Sequence, residues 1–372
     1  MMKAIIDYVK KEVVLCISFV LAFVSMVFVP LDVQYISYID FHTLTILFCL
    51  MLVMAGLRNL GIFSMIGSWM LEKTNNVRSL SIVLVLLCFV FSMLITNDVA
   101  LITFVPFAID VLTMASLENY LIPTIVLQTI ASNLGSMLTP IGNPQNLYLY
   151  SLSGMSMGKF IALMLPYTLV SLIGVLVACV ILIDNKAVAV KVQSPRKLTE
   201  KGKSKAIVYL LLFFFALASV AHIISVYIVG IVTLIVVFLM DRKMLGKPDY
   251  ALLLTFVFLF VFIGNMKRIP EIHSWLNSAI LGHELIISVF ASQVISNVPA
   301  AILLSGFTND ISTLIIGTNL GGLGTIIASM ASLISFKYYG ATEGKRNLTY
   351  LGLFTLLNII FLAVLLLLHY II

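Results

Sequence analysis

The sequence predicts an all-α polytopic membrane protein built from two inverted-topology repeats, with two re-entrant helical hairpins and two broken transmembrane helices. Three observations predict it. Of 372 residues, 61% are hydrophobic and 10% charged, with mean hydropathy +1.14. Apolar runs long enough to cover ~30 Å of hydrocarbon recur along the chain. Two apolar stretches carry a polar knot in the middle, and the residues around the two knots match.

Composition also excludes function classes. A soluble domain carries about 25% charged residues, so this chain lacks the polar surface of a water-soluble enzyme, a nucleic-acid binder or a disordered protein. The net charge of +6 comes from Lys and Arg gathered in short loops between apolar runs, the footprint of topology. Cys16, Cys49, Cys88 and Cys179 lie inside apolar runs with no paired ligand spacing, so neither disulfides nor a transition-metal site are expected.

Lys3, Lys10 and Lys11 set the N-terminus in the cytoplasm, ahead of span 13–29. Pro30-Leu31-Asp32 then offers no small-residue cleavage site, so the span reads as retained. Loop 30–40 has no Lys or Arg, and span 41–57 returns to Arg58, Lys73 and Arg78. A short amphipathic piece, 61–72, leads into hairpin 79–116, with Thr96-Asn97-Asp98 at its middle. The broken helix 121–150 goes out, and span 158–183 comes back to the polar stretch 184–205, rich in Lys and Arg (Lys191, Arg196 and Lys197 among them). These residues, 1–183, form the first repeat.

Residues 184–222 form a cytoplasmic linker and one connecting helix, 206–221, with a very tight turn near His222. The second repeat, 223–372, contains spans 223–240 and 250–265, an amphipathic piece 268–277, hairpin 281–306, broken helix 311–336 and span 347–370. Its knot is Ser296-Asn297-Val298-Pro299. Basic residues at 242, 243, 247, 337, 345 and 346 fall inside and the C-terminus outside. Lys267 and Arg268 fall on the outer side. Because the connecting helix is odd, the second copy runs opposite to the first, the arrangement from which alternating access follows.

The two copies share residues. Ile95-Thr96-Asn97-Asp98-Val99-Ala100 matches Ile295-Ser296-Asn297-Val298-Pro299-Ala300, and Ala131-Ser132-Asn133-Leu134-Gly135-Ser136 matches Gly317-Thr318-Asn319-Leu320-Gly321-Gly322. The helix then breaks at Thr139-Pro140-Ile141-Gly142-Asn143-Pro144-Gln145-Asn146 in one copy and at Gly321, Gly322, Gly324 and Thr325 in the other. At a tip or a break, one helix ends in free carbonyls and the next begins with free N–H groups. Carbonyls and hydroxyls suit a sodium ion; helix N-termini suit an anion. Taken singly, Pro140 reads equally as a kink, and Asn, Ser and Thr as bonds between helices. Asp98, a carboxylate at membrane depth, reads as a proton or cation carrier, or as the cap of the second arm. The five histidines lie near span ends, and the Phe and Leu runs read as packing.

The tips and breaks resemble the ion transporter superfamily: divalent anion:sodium symporters, citrate–metal symporters, arsenite permeases and sodium/proton antiporters of the same fold. The divalent anion symporters show Ser-Asn-Thr at both tips. Here the third, hydroxyl-bearing position is absent twice, and Thr96-Asn97-Asp98 looks more like the arsenite-permease and uncharacterised anion-permease branches. The resemblance implies a homodimer with an elevator motion. It also implies a substrate site at Thr96, Asn97, Asp98, Ser296, Asn297, Val298, Asn143 and Thr325. It implies cation sites at Thr96, Asn97, Asn133 and Gly142, and at Ser296, Asn297, Asn319 and Gly322. The expected function is secondary active transport of a small anion, a carboxylate or inorganic oxyanion, in the cell membrane. Sodium or protons would drive it, with no cofactor and with lipid and solute as the only non-self partners. The alternatives are a cation/proton antiporter using Asp98 and an arsenite efflux permease.

Overall fold

The computed structural model describes residues 12–72, 74–187 and 198–372. Lys3, Lys10, Lys11, Lys73, Lys191, Arg196 and Lys197, on which the orientation reading draws, lie outside the described residues. Among the described residues the fold is all helical, and an isolated bridge between Asn76 and Ala187 is its one extended pairing. Seven helices are long and apolar enough to cross a membrane, or eight with one bent pair counted as a span. The chain is therefore a multi-pass membrane protein.

The first half comprises α1 (Val13–Phe28), α2 (Gln34–Tyr38), α3 (Phe41–Asn59), α4 (Ile62–Leu71), α5 (Val77–Leu94), α6 (Asn97–Met114), α7 (Leu121–Ser136), α8 (Pro144–Ser153) and α9 (Met157–Leu182). Then come α10 (Glu200–Val220), α11 (Val226–Met240), α12 (Tyr250–Lys267), α13 (Pro270–Ile280), α14 (Glu284–Ile295), α15 (Asn297–Leu304), α16 (Ile311–Leu320), α17 (Met330–Gly340) and α18 (Asn347–Ile371).

Lone charges and caps explain the boundaries. α10 starts at Glu200 rather than at the predicted 206, because the Thr199 hydroxyl accepts from the Gly202 N–H at 3.1 Å and Lys203 pairs with Glu200 at 2.7 Å. A capped, charged first turn extends the helix into water beyond its apolar part. α10 ends in a Schellman turn: Ile223 N–H donates to the Ala218 carbonyl and His222 sits at φ +61. The tight turn near His222 is thus closed by backbone bonds.

α1 lies along α12 and points the same way. The Asn265 amide donates to Ser25 Oγ at 2.9 Å, and beyond both C-termini Arg268 pairs with Asp32 at 2.8 Å while donating to Tyr38 Oη at 3.0 Å. Arg268, an exception to the charge pattern, thereby meets a carboxylate from the loop that has no Lys or Arg of its own. α3 packs against α10 and α11; at Gly56 a Cβ would sit 2.2 Å from the Tyr209 ring, so only a bare backbone allows the approach.

Both arms of the first hairpin, α5 and α6, pack on α7, and both arms of the second, α14 and α15, pack on α16. Nearly every residue of α7 is buried, on all faces, as are residues 144–150 of α8 and 314–320 of α16. α1, α9, α11 and α18 instead leave long apolar faces exposed, such as Ile173, Ile181, Ile235, Leu239 and Leu367. Helices apolar all round suit lipid; the polar, broken ones are enclosed by protein, where their backbone groups find partners. The hairpins differ in length. α5 and α6 have 18 residues each, and by length and composition either could cross a membrane. α14 and α15 have 12 and 8, and α13 meets α14 at 109°.

Candidate functional site

At the first tip the chain leaves α5 at Ile95 and starts α6 at Asn97. The Asn97 N–H donates to the Gly142 carbonyl of the break between α7 and α8, at 3.0 Å. The Asn97 amide donates to Asn133 Oδ1 at 3.1 Å, and Ser132 Oγ donates to the Asn97 carbonyl at 3.1 Å. The tip is therefore bonded to both sides of the break.

The second tip repeats the plan. The Asn297 N–H donates to the Ala328 carbonyl of the break between α16 and α17, at 3.0 Å. Ser296 Oγ donates to the same carbonyl at 3.4 Å. Gly322 lies against the Asn297 amide, where a Cβ would come within 3.0 Å. Shifting hairpin numbers by 200 and break numbers by 186 maps one set of contacts on the other. Asn97 to Gly142 becomes Asn297 to Ala328. Thr139 Oγ1 to the Met93 carbonyl, 2.5 Å, becomes Thr325 Oγ1 to the Gln293 carbonyl, 3.2 Å. Gly135 packs on Ser92 as Gly321 does on Ser292.

The breaks also exchange bonds. Asn133 donates to Ser332 Oγ at 3.4 Å, in the first turn of α17, and accepts from Ser329 Oγ at 3.1 Å, at the end of the second break. Asn319 donates to Asn146 Oδ1 at 2.7 Å, in the first. The same 186-residue shift carries Asn133 to Asn319 and Asn146 to Ser332, so the exchange is reciprocal, like the contacts across a two-fold axis. Asn97, Asn133, Ser329, Ala328 and Asn297 form one connected chain of contacts, and the two tips belong to a single network.

Most capping-type residues outside this network cap the helix they precede, Ser225 at the start of α11 excepted. Asp40, Asn76, Ser156, Thr199, Asp249 and Asp310 each cap the helix they precede. At the starts of α6, α8, α15 and α17 the residues are Thr96, Asn143, Ser296 and Ser329, all of capping type, and none caps its own helix. Asn143 donates to Ser136 Oγ at 2.6 Å instead, and Ser329 to Asn133. Four N-termini thus begin in one network without a cap from the residue that precedes the helix, although at the first tip Asn97 Oδ1 accepts from the Asp98 N–H at 2.8 Å. Buried polar atoms also lack partners there: the acceptors Asp98 Oδ1, Asn143 Oδ1, Asn319 Oδ1 and Gln145 Oε1, and the donor Gln145 Nε2. Unsatisfied buried polar atoms are rare and costly, and they concentrate where a ligand or ion completes them.

Of the residues singled out from sequence, Asn97, Asn133, Gly142, Ser296, Asn297, Asn319, Gly322 and Asn143 share this network or abut it. Val298 is buried beside the second tip. Thr96 and Asp98 line a cavity of about 500 Å³ together with Pro144, Arg58, Lys247 and Asp249. Thr325 lies apart: it is exposed, and both its N–H and its hydroxyl bond to Gln293. Sequence reading missed Gln145, Asn146, Gln293, Ser329 and Ser332, and it missed two cations reaching the cavity of the first tip. Asn146 and Gln145 stood in the quoted break; Ser329 and Ser332 carry no motif, and only the register shift points to them. Among the described residues no group of three or more His, Cys, Asp or Glu side chains is placed to hold a metal.

A family model described as citrate transporter matches residues 2–313. An uncharacterized transporter of Methanocaldococcus jannaschii, MJ0456, is 32% identical over 312 residues, 83% of each chain. Inner membrane protein YbiR of Escherichia coli is 31% identical over 306 residues, 80% of each. The silicon efflux transporter LSI3 of Oryza sativa is 30% identical over 128 residues, 34% of this chain and 26% of its own.

Proposed function

Since the chain belongs to the citrate transporter family and is a membrane transporter of the citrate and arsenite-permease type, we propose that it moves a small anion across the cell membrane by secondary active transport. The reciprocal exchange of Asn133 and Asn319 between the breaks carries this reading. Two halves related in that way hold four helix N-termini in one place, and aligned N–H dipoles there favour negative charge. The amides of Asn97, Asn133, Asn297 and Asn319 add donors. The solute is a carboxylate or inorganic oxyanion.

Sodium fits the oxygen-rich side of the same residues: Thr96, Asn97, Asn133 and Gly142 in the first half, Ser296, Asn297, Asn319 and Gly322 in the second. When bound it supplies positive charge beside the anion. The protein's own part is to hold these oxygens at fixed spacing and to exclude lipid and bulk water from them. The two repeats are inverted, the hairpins are re-entrant, and the hairpins with their breaks travel as a body against α1, α3, α10, α11 and α12, elevator fashion, in a homodimer. The N-terminus is cytoplasmic and the C-terminus outside. In support, the cavity beside the first tip separates the mobile unit from α3 and the start of α12.

One observation favours a second reading. Asp98 Oδ1 is buried without a partner, and a carboxylate held so can exchange a proton or cation in an antiporter. Purified protein in a thermal-shift panel of dicarboxylates, phosphate, arsenate, arsenite and silicate, each in sodium or choline salt, separates the two, because a ligand of the native state raises its melting point. Stabilisation by an anion that needs sodium fits the symporter. Stabilisation by cations and pH alone, with no anion effect in proteoliposome uptake, would sink it in favour of the antiporter.

A further inference from the structure

Gln293 sits in the last turn of α14, four residues before the second tip. Its Nε2 lies 2.9 Å from the Gly321 carbonyl, 2.8 Å from the Leu323 carbonyl and 3.2 Å from the Val289 carbonyl. The amide cannot be turned round, because its Oε1 accepts from the Thr325 N–H at 2.8 Å. A neutral NH2 group has two hydrogens and here meets three converging carbonyls. Two of them, from Gly321 and Leu323, belong to the unwound end of α16, where the negative end of the helix dipole lies. Three carbonyl oxygens around one point at a helix C-terminus is the environment of a monovalent cation.

The first half treats the same place differently. The 200-residue shift puts Met93 where Gln293 stands, and a thioether donates nothing. The 186-residue shift puts Gly135 and Met137 where Gly321 and Leu323 stand, and among the described residues no side chain donates to either carbonyl. Asn146 does donate in the first break, to the Ser136 and Thr139 carbonyls, but at 3.3 Å each and from the other side of the break.

We infer that the Gln293 amide nitrogen occupies, in the second half, a three-carbonyl position fit for a monovalent cation, so that this position, distinct from the oxygens of Ser296, Asn297, Asn319 and Gly322, is closed by the protein's own side chain. Removing the amide uncovers a cation site of three carbonyls.

The test is a gain of binding. The full chain is purified as wild type, Gln293→Met (the residue of the first half), Gln293→Ala and Gln293→Lys, and melting points are compared in sodium, potassium, ammonium and choline chloride at equal ionic strength. Gln293→Met and Gln293→Ala should melt below wild type in choline and recover several degrees, saturably, in at least one of the other salts. Gln293→Lys brings its own ammonium to the carbonyls and should show no such recovery. The inference is overturned if the Met and Ala variants respond to cations no more than wild type does, or if all three variants fail to fold in every salt. It is also overturned if isothermal titration finds no more cation steps in Gln293→Met than in wild type. A wild type with no cation response, beside a Met variant with one, supports the inference and removes sodium from the transport reading, so the two can fail separately.

Discussion

The two hairpins reach the same junction by different means. The first has arms of 18 residues each, about 27 Å at 1.5 Å per residue. The second has arms of 12 and 8 residues, about 18 and 12 Å. The first tip turns through Thr96 in ordinary extended backbone and carries Asp98; the second turns through Ser296 at φ +71 and continues into Val298 and Pro299. Despite this, each tip donates its Asn N–H to the corresponding carbonyl of its break, both at 3.0 Å. What is held constant between the halves is the junction of tip with break. Arm length, turn conformation and charge vary around it.

The sharpest contrast is steric. At Gly135 a Cβ would lie 2.0 Å from the Phe89 carbonyl, which is backbone and cannot move aside; at Gly321 the nearest atom, 2.5 Å away, is the Ser292 hydroxyl. Gly135→Ala should cost about 3 kcal/mol or more and Gly321→Ala about 1–2, by overpacking. Thermal unfolding of the two variants checks it, and equal losses would mean the halves tolerate crowding alike.

Next comes the pair of tip asparagines. Asn97 donates to Asn133 and accepts from the Asp98 N–H at 2.8 Å, whereas the Asn297 side chain meets only Ser296 Oγ, at 3.4 Å. Both Asn97→Ala and Asn297→Ala should abolish uptake in proteoliposomes. The first should also lose about 1–2 kcal/mol of stability and the second under about 0.5, since only the first gives up well-formed buried bonds. Near-normal uptake in either variant would count against the site.

Asp98 against Val298 is the subtler difference. Asp98→Asn keeps shape and removes the charge from a half-buried carboxylate whose Oδ1 lacks a partner, so stability should hold or rise by about 1 kcal/mol. If Asp98 carries a proton, the pH dependence of uptake should flatten in this variant; an unchanged profile leaves the carboxylate a structural role. The smallest effect is expected far from the junction. Asp32→Asn breaks a half-exposed pair with Arg268, worth about 0.5–1 kcal/mol and less at high salt.

Much of this comparison was legible in the sequence. Thr96-Asn97-Asp98, Ser296-Asn297 and the two Asn-Leu-Gly runs announce themselves because polar residues at such density are costly inside an apolar chain. Apolar runs and basic loops likewise mark the helices to within a few residues. Other features were not legible. Ser329 and Ser332 look like any serines in a membrane helix, and their importance comes from a partner some 200 residues away. Arg58 and Lys247 read as loop charges until packing brings them to a cavity shared with Asp98. Thr325, expected at the substrate, is drawn off by Gln293 because a glycine at φ +112 turns the chain just before it. Gln293 stands near the end of its arm with no motif around it.

Asn133 is gripped from three directions: by Asn97 of the first tip and by Ser329 and Ser332 of the opposite break. A displacement that parted these pieces would have to strip one buried amide of all its partners at once. An elevator motion of the kind proposed would therefore have to run its slip plane around this knot and not through it, shifting the two breaks and the first tip as one piece.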